Sequence, residues 1–541
     1  MTPHHLEPVL GFWDGHDAGA ALVVDGRILV AVSEERLSRQ KRASGFPYLA
    51  IAACLEHAGL ATEDVGDVAT AGRFGRLGHR FLDRVYRRRD PSRDPLSLTS
   101  RLVRELEVQL AFTPGLRHLE SLSMRAVLVR RLATLGFGHA RFHVVDHHTA
   151  HALTARAALL GDGIDCQQAD VATMDGYGDG VAARFESPAR PAVILPSPGA
   201  SLALVYGATT RLLGFGEGDE GKVMGLAAQG NPERLAPLFR RWTEPGRCCP
   251  TLGGQDERRR LAGEAREDVA AALQLVTEER AVALIEHNLP SRRALGLSGG
   301  LFANIAVNRA VARGRQHTAV FPHMGDGGLC VGAALAVTGP LPMPLPFLGP
   351  TWSDHQIASA IAASGLTASR SGDPDAALAD AILAGQLVAR VVGRSEFGPR
   401  ALGHRSILAR ADDHARLERL NAALGRDDFM PFAPVRRHGA GSKAMTTLVT
   451  ADADLREHCP AVVHVDGTVR TQLASPDDSE LWALLERTEA GGLPALVNTS
   501  FNLHGEPIVE SPTDALQTFL AAGLDVMRLG SYLVQRMGLA A

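Results

Sequence analysis

Two stretches decide how this chain folds: "VLGFWDGHDAGAALVVDGRILVAVSEE" (residues 9–35) and "DVATMDGYGDGVAARFES" (residues 170–187). In each, an apolar strand runs into Asp-Gly-x-x-x-Gly, Asp14 to Gly19 and Asp175 to Gly180, and then into a second apolar strand. Apolar runs broken by glycine turns read as β-hairpins, and their recurrence marks an internal repeat. Two homologous halves of a nucleotide-binding ATPase would look like this. Glycine lets the backbone approach a phosphate chain and present N–H groups, while the strand-end aspartate holds a cation or water beside it.

Two more glycine turns lie in the same half. "ALGLSGGLFANIAVNRAV" sets Gly299 and Gly300 between an apolar strand and a helix, with Asn304 and Asn308 one turn apart on that helix. A strand, a Gly-Gly turn and a helix N-terminus suit an adenosine or phosphate group. "FPHMGDGGLCVGAALAV" sets Asp326 in a tight turn ahead of a helix of small residues.

Between the hairpins, "ARFHVVDHHTAHALTARAALL" begins as a strand and becomes a helix at Asp146, a good N-cap. Side chains four apart share a helical face, so His147 and His151 project together and His148 points elsewhere. Two imidazoles so placed can share one ion, and Asp175 and Asp326 are the obvious carboxylate supplements. Such a donor set suits Fe(II), Mn(II) or Zn(II). A hydrogen-bonded helix pair without metal is the alternative.

The bulk numbers set the frame. A chain of 541 residues exceeds what one core serves, so two or more domains are expected. The boundary falls at "TGPLPMPLPFLGPTW" (338–352), where five prolines break any helical or strand period. Lys+Arg 56 against Asp+Glu 60 leaves a net charge of −4, so no charge excess draws the chain to nucleic acid or to an acidic membrane. The arginine-rich "RFGRLGHRFLDRVYRRRDPSRD" (73–94) reads as a solvated face, or as a contact surface for substrate. Without a signal-peptide pattern or a long apolar run, a cytoplasmic protein is expected. The six cysteines form no CxxC pair and read as reduced thiols.

In the C-terminal part, "QLVARVVGRSEFGPRALGHRS" is a strand leading into a glycine-bearing loop with Arg394, Arg400 and Arg405, guanidiniums suited to phosphate oxygens. "GGLPALVNTSFNLHGEPIVESPTDALQTFL" reads as a buried strand, a polar turn and a helix opened by Ser511 and Pro512. Asn498, Ser500 and Asn502 cluster where that strand ends, around a nucleotide or carbamoyl group, or else in Asx-turn chemistry.

"DHHTAHA", "GKVMGLAAQGNP", "LSGGLFANIAVN", "MGDGGLCVGAAL", "GRSEFGPRALGHRSILA" and "NTSFNLHGEPIVESPTDAL" occur in this order. Together with the opening hairpin they resemble the ATP-dependent O-carbamoyltransferases that decorate nodulation factors and antibiotics, over nearly the whole chain. The resemblance implies an α/β protein. Residues 1–340 would form a duplicated actin/sugar-kinase-like ATPase domain, as in the tRNA threonylcarbamoyladenosine ATPase, and residues 352–541 a YrdC-like α/β domain. It implies that the second domain consumes carbamoyl phosphate and ATP to form carbamoyl-adenylate, and that the first transfers the carbamoyl group to a hydroxyl of a small natural product.

By the same resemblance, His147, His151, Asp175 and Asp326 would hold a divalent metal, Fe(II) first, with Mn, Zn or Mg as alternatives. His16 and Asp14, with Asp219 as a second choice, would take the hydroxyl proton, while Asp17 caps the strand end. Gly299, Gly300, Asn304 and Lys41 would bind nucleotide in the first domain. Arg394, Arg400, Arg405, Arg426, Asn498, Ser500 and Asn502 would bind carbamoyl phosphate and ATP in the second. The chain departs from the family pattern at Leu424 and Met430, where the family carries a lysine and an arginine, and at Arg42, where the family often has a histidine. The expected partner is a small-molecule alcohol, not nucleic acid or membrane, with room for a homodimer. A tRNA threonylcarbamoyl-type modifying enzyme and a non-catalytic nucleotide-binding protein stay open as other readings.

Overall fold

The computed structural model describes residues 7–73, 114–197, 199–244, 259–425 and 431–536. Residues 74–94 of the arginine-rich stretch, Cys248, Cys249, Arg426 and Met430 lie outside them.

Both hairpin stretches form the strands their periodicity predicts. The first sheet holds β1 (Val9–Trp13), β2 (Gly19–Val24), β3 (Arg27–Ser33), β4 (Asp67–Ala71) and β5 (Arg141–Val145) in the order β3-β2-β1-β4-β5. Here β1 pairs antiparallel with β2, from Val9↔Val23 to Trp13↔Gly19, and parallel with β4. The second sheet holds β6 (Asp170–Gly178), β7 (Val181–Ser187), β8 (Arg190–Pro196), β9 (Leu295–Ser298) and β10 (Thr318–Val320). Its order, β8-β7-β6-β9-β10, and its pairing senses repeat those of the first. The internal repeat is therefore a repeat of topology, not only of turn sequence.

Two helices lie between these sheets. Leu329–Thr338 packs on β1, β2 and β4, His147–Gly161 packs on β6 and β9, and the two helices pack on each other. The layers come close because small residues line the contacts. A Cβ on Gly11 would stand 2.0 Å from the Cys330 carbonyl oxygen, and one on Gly332 would stand 2.2 Å from that of Ala150. This packing brings the C-terminal end of β6, the start of the His147 helix and the turn before Leu329 to one place.

The third sheet begins beyond the proline-rich stretch. Its order is β11 (Ala368–Arg370), β20 (Tyr532–Gln535), β19 (Val526–Leu529), β12 (Val388–Val391), β13 (Arg405–Arg410), β18 (Leu496–Ser500), β14 (Ala433–Arg436) and β17 (Gln472–Leu473). β15 (Val449–Thr450) and β16 (Thr468–Val469) form a separate pair. The loop 392–404 joins the antiparallel neighbours β12 and β13. Glu396 shapes that loop: its Oε1 accepts from the backbone N–H groups of Leu402 at 2.7 Å, His404 at 2.9 Å and Arg405 at 3.1 Å.

The proline-rich crossing is bonded along its length to both halves. Met343 N donates to Ala157 O, Ala31 N to Leu348 O, Gly349 N to Ser395 O and Phe397 N to Pro346 O. Among the described residues no helix is long and apolar enough to cross a membrane.

Candidate metal centre and arginine loop

Asp146 caps the His147–Gly161 helix by accepting from Thr149 N at 2.9 Å, which fixes the direction in which the following imidazoles project. His147 and His151 face the end of β6, and both are buried. His147 Nε2 lies 2.9 Å from Asp175 Oδ2 and 3.5 Å from Asp326 Oδ1; His151 Nε2 lies 3.4 Å and 3.6 Å from the same two oxygens. One donor atom from each of the four residues falls within 4.8 Å of all the others.

His148 turns away and bonds Thr173 Oγ1 at 2.7 Å and the Val181 carbonyl at 3.1 Å. Burial, with its two histidine neighbours, pushes its pKa down to about 3. Its role is packing.

The residues around the quartet orient it. His151 Nδ1 contacts Ser298 Oγ at 3.1 Å, which turns Nε2 inward; that atom is buried and makes no hydrogen bond among the described residues. His147 N donates to Asp179 Oδ2 at 2.9 Å, and the Trp13 ring meets His147 edge-on at 5.6 Å. Ser298, in the quoted Ser-Gly-Gly, and Asp179, in the second hairpin turn, were not singled out by the sequence reading. Their signal was position alone, at a strand end and in a repeated turn.

The electrostatics ask for a cation. Burial alone would raise the carboxyl groups, but the imidazoles outweigh it and hold Asp175 and Asp326 below the ordinary range. Burial alone would lower His147, but the Asp326 and Asp175 carboxylates hold it well above its ordinary value. Two ionised carboxylates in a buried site need positive charge, from protons on the rings or from a metal. Two imidazoles, two carboxylates and an inward, otherwise unbonded Nε2 fit a divalent ion.

His16 stands half-exposed above this centre, its Nε2 3.2 Å from Asp326 Oδ2 and its Nδ1 2.9 Å from Asp17 Oδ2. Asp17 and Asp179 both adopt left-handed backbone at φ 56°, so the two hairpin turns match in conformation as well. Asp14 is buried at the end of β1. Gly300 closes on the quartet, since a Cβ there would lie 2.8 Å from Asp175 Oδ1. Asp219 stays with its own turn, accepting from Gly216 N at 3.0 Å and facing Lys222 at 3.4 Å. Lys41 pairs with Glu35 at 3.3 Å. Asn304 is the N-cap of the helix Ile305–Ala312 rather than a member of it, and its amide is shared with Gln274.

Of the three loop arginines, two donate to backbone carbonyls. Arg405 is fully buried; it donates to the carbonyls of Val392, His404, Gly393 and Glu510 and faces the Glu510 carboxylate at 3.5 Å. Arg394 donates to Gly349, Leu29 and Leu348 carbonyls and so ties the proline-rich crossing to the first sheet. Carbonyls left open at a buried junction need donors, and guanidiniums supply them. Arg400 alone, partly buried, has neither hydrogen bond nor ion pair among the described residues. Asn498 Nδ2 supports the same loop by donating to Ala401 O at 3.2 Å and Gln472 Oε1 at 2.5 Å. Ser500 pairs with Ser406 across the ladder, and Asn502 closes its turn on the Leu503 and Glu506 carbonyls.

A groove of about 630 Å³ lies elsewhere, between the helices Arg266–Asn288 and Ile305–Ala312. Leu275, Glu278, Val282, Arg292 and Arg313 are among its lining residues, and none of the residues above contributes to it.

Fold and centre thus describe a two-part α/β protein with paired sheets around a two-histidine, two-aspartate cluster and an arginine loop in the second part. Residues 9–241 and 254–335 match the family model for the carbamoyltransferase N-terminus, and residues 379–536 match that for the carbamoyltransferase C-terminus. The chain belongs to the carbamoyltransferase family. Nodulation protein NolNO of Sinorhizobium fredii is 31% identical to it over 570 residues, covering 96% of this chain and 79% of that protein. The 3'-hydroxymethylcephem-O-carbamoyltransferase of Streptomyces clavuligerus is 27% identical over 556 residues, covering 94% and 95%. Among solved structures, component A of Acidaminococcus fermentans (R)-2-hydroxyglutaryl-CoA dehydratase matches 61% of this chain and 97% of its own at 14% identity. Its TM-score of 0.36 is too low to bear on function.

Proposed function

We propose that this protein is an ATP- and metal-dependent O-carbamoyltransferase acting on a hydroxyl of a small natural product. The convergence of His147, His151, Asp175 and Asp326 beneath His16, in a chain of the carbamoyltransferase family, carries the reading. The repeated sheet topology supports an actin/sugar-kinase-like first domain. The second domain is then the YrdC-like, adenylate-forming one.

The chemistry divides because a carbamoyl group needs a good leaving group before an alcohol can attack it. In the second domain, water releases inorganic phosphate from carbamoyl phosphate and leaves carbamate. A carbamate oxygen then attacks the α-phosphorus of ATP, and pyrophosphate departs. Arg400 is the cation of the loop 392–404 with donors to spare for these phosphates. In the first domain, the acceptor oxygen attacks the carbamoyl carbon, the bond to the adenylate phosphate breaks and AMP leaves. His16, at the mouth, is placed to take the hydroxyl proton. Burial alone would lower its pKa, but the Asp326 and Asp17 carboxylates outweigh that and raise it to about 9. It therefore accepts the proton only from its uncharged form, and transfer quickens as pH rises toward that value. A divalent ion held by the quartet, Fe(II) before Mn(II) or Zn(II), supplies charge that offsets the leaving phosphate.

The test is purified protein with ATP, carbamoyl phosphate and divalent metal. Carbamoyl-phosphate-dependent exchange of pyrophosphate into ATP is expected, and candidate alcohols should gain one carbamoyl unit by mass spectrometry. Absence of that exchange, or RNA as the sole carbamoylated product, overturns the proposal.

A further inference from the structure

The centre and the arginine loop are joined by a small set of residues that neither site uses for chemistry. β3 runs into the helix Glu34–Ser38, and Ser33, Arg36 and Arg39 recur there at every third position. Ser33 Oγ lies 3.2 Å from His323 Nε2. Arg36, buried in the first domain, sends Nη2 across to the Gly398 carbonyl at 3.1 Å and the Glu396 carbonyl at 3.4 Å. Arg39 donates to the Ile508 and Pro507 carbonyls at 2.7 Å and 2.8 Å. One face thus grips two segments of the second domain.

His323 forms the second half of the joint. It stands three positions before Asp326, and its ring meets Phe397 of the loop 392–404 at 4.9 Å between centroids. On its other side is Gly327, where a Cβ would lie 2.0 Å from the ring's Cε1. Gly398, at φ 143°, follows Phe397 and comes within 3.1 Å of the Pro322 carbonyl at its would-be Cβ. His323 is therefore wedged between the turn that carries Asp326 and the loop that carries Arg400. Burial lowers its pKa to about 4, so at neutral pH it packs and hydrogen-bonds as an uncharged ring.

A joint meant only for stability would leave few polar atoms unmet. Here Arg36 Nη1 and Glu396 Oε2 are both buried and make no hydrogen bond among the described residues. Such atoms cost stability. Their persistence favours a role in geometry over one in stability.

We propose that Arg36 and His323 are positioning residues for the handover. They hold the loop 392–404 against the Asp326 turn, so that the activated carbamoyl group passes from one site to the other without release into solvent. This rests on the two-stage reaction above and adds to it the element that couples the stages.

The test needs no acceptor alcohol. Full-length wild type, Arg36→Met, Arg36→Lys and His323→Phe are given ATP, carbamoyl phosphate, Mn(II) and hydroxylamine. Escaped carbamoyl-adenylate is trapped when the hydroxylamine nitrogen attacks the carbamoyl carbon and AMP leaves, giving hydroxyurea and a proton. Pyrophosphate exchange is followed in parallel. Arg36→Met and His323→Phe should retain at least a third of the wild-type exchange rate while forming at least fivefold more hydroxyurea per exchange event. Arg36→Lys, which keeps a donor, should fall between them and wild type. Exchange and hydroxyurea falling together would mean a merely structural role and overturn the proposal, as would an unchanged ratio. A wild-type protein without carbamoyl-phosphate-dependent exchange would instead sink the functional reading on which this one stands.

Discussion

Gly178→Ala offers the sharpest probe of the metal centre, because one methyl group addresses one ligand. A Cβ at position 178 would stand 2.2 Å from His147 Cδ2 and 2.7 Å from both Cγ and Nε2. Ordinary carbon contacts begin near about 3.5 Å, so the imidazole must retreat by roughly 1.3 Å. Gly178 does not use left-handed backbone, and the harm is therefore steric rather than conformational. Metal–ligand distances tolerate only about 0.2 Å. Disturbing the support of a ligand typically lowers metal affinity by roughly 10–100-fold, or about 1.4–2.8 kcal/mol. The assay is calorimetric titration of metal-free protein with Mn(II), with melting followed in parallel. Gly176→Ala in the same turn is the control, since its Cβ would meet only Leu204 at 3.4 Å. Should Gly178→Ala bind Mn(II) as tightly as wild type with an unaltered melting temperature, His147 is not a ligand and the reasoning fails.

Three further outcomes follow from the same geometry. Ser298→Ala removes the partner of His151 Nδ1, so Mn(II) affinity should drop by roughly tenfold while the fold is kept; equal affinity would separate Ser298 from the centre. Arg400→Ala should abolish most pyrophosphate exchange with an unchanged denaturation midpoint, whereas Arg405→Ala, which strands the buried Glu510, should cost about 3–5 kcal/mol in urea unfolding. The reverse pattern would exchange their roles. Asp375 faces Arg390 and Arg528, both also bonded to Glu480; burial alone would raise its carboxyl, but the two guanidiniums outweigh that and lower it. A depressed folded-state pKa gives stability that is complete above about pH 4 and is lost as pH falls through the folded value. Asp375→Asn should therefore melt below wild type at pH 7, and the gap should narrow between pH 4 and pH 3; a gap constant with pH would remove the linkage.

Local order was readable where one segment supplies both signal and partner. The strands around Asp14 and Asp175, the Asp146 cap and the common face of His147 and His151 follow from period and spacing within single stretches. Asp175 and Asp326 could be nominated because each ends a strand or opens a helix in a glycine turn, though their meeting depends on the packing of two helices between two sheets. The destinations of Arg394 and Arg405 were not readable. Which carbonyls lack donors is settled only when β12, β13 and the proline-rich crossing come together, and a guanidinium serves a carbonyl as readily as a phosphate. Likewise, Asn304 and Asn308 read as neighbours on one helix, yet a cap residue lies just outside the helix it starts. His323 carried no sequence signal, since its neighbours come from 290 positions earlier and from the other half of the chain.

The crossing at 338–352 has a consequence for how the polypeptide can be handled. Prolines usually suggest a stiff tether along which two bodies swing, yet here the backbone is laced on one side to Ala157 and Ala31 and on the other to Ser395 and Phe397. It acts as mortar between masonry blocks. Severing it with a protease would leave two fragments that still elute together, and residues inserted into it would push the blocks out of register.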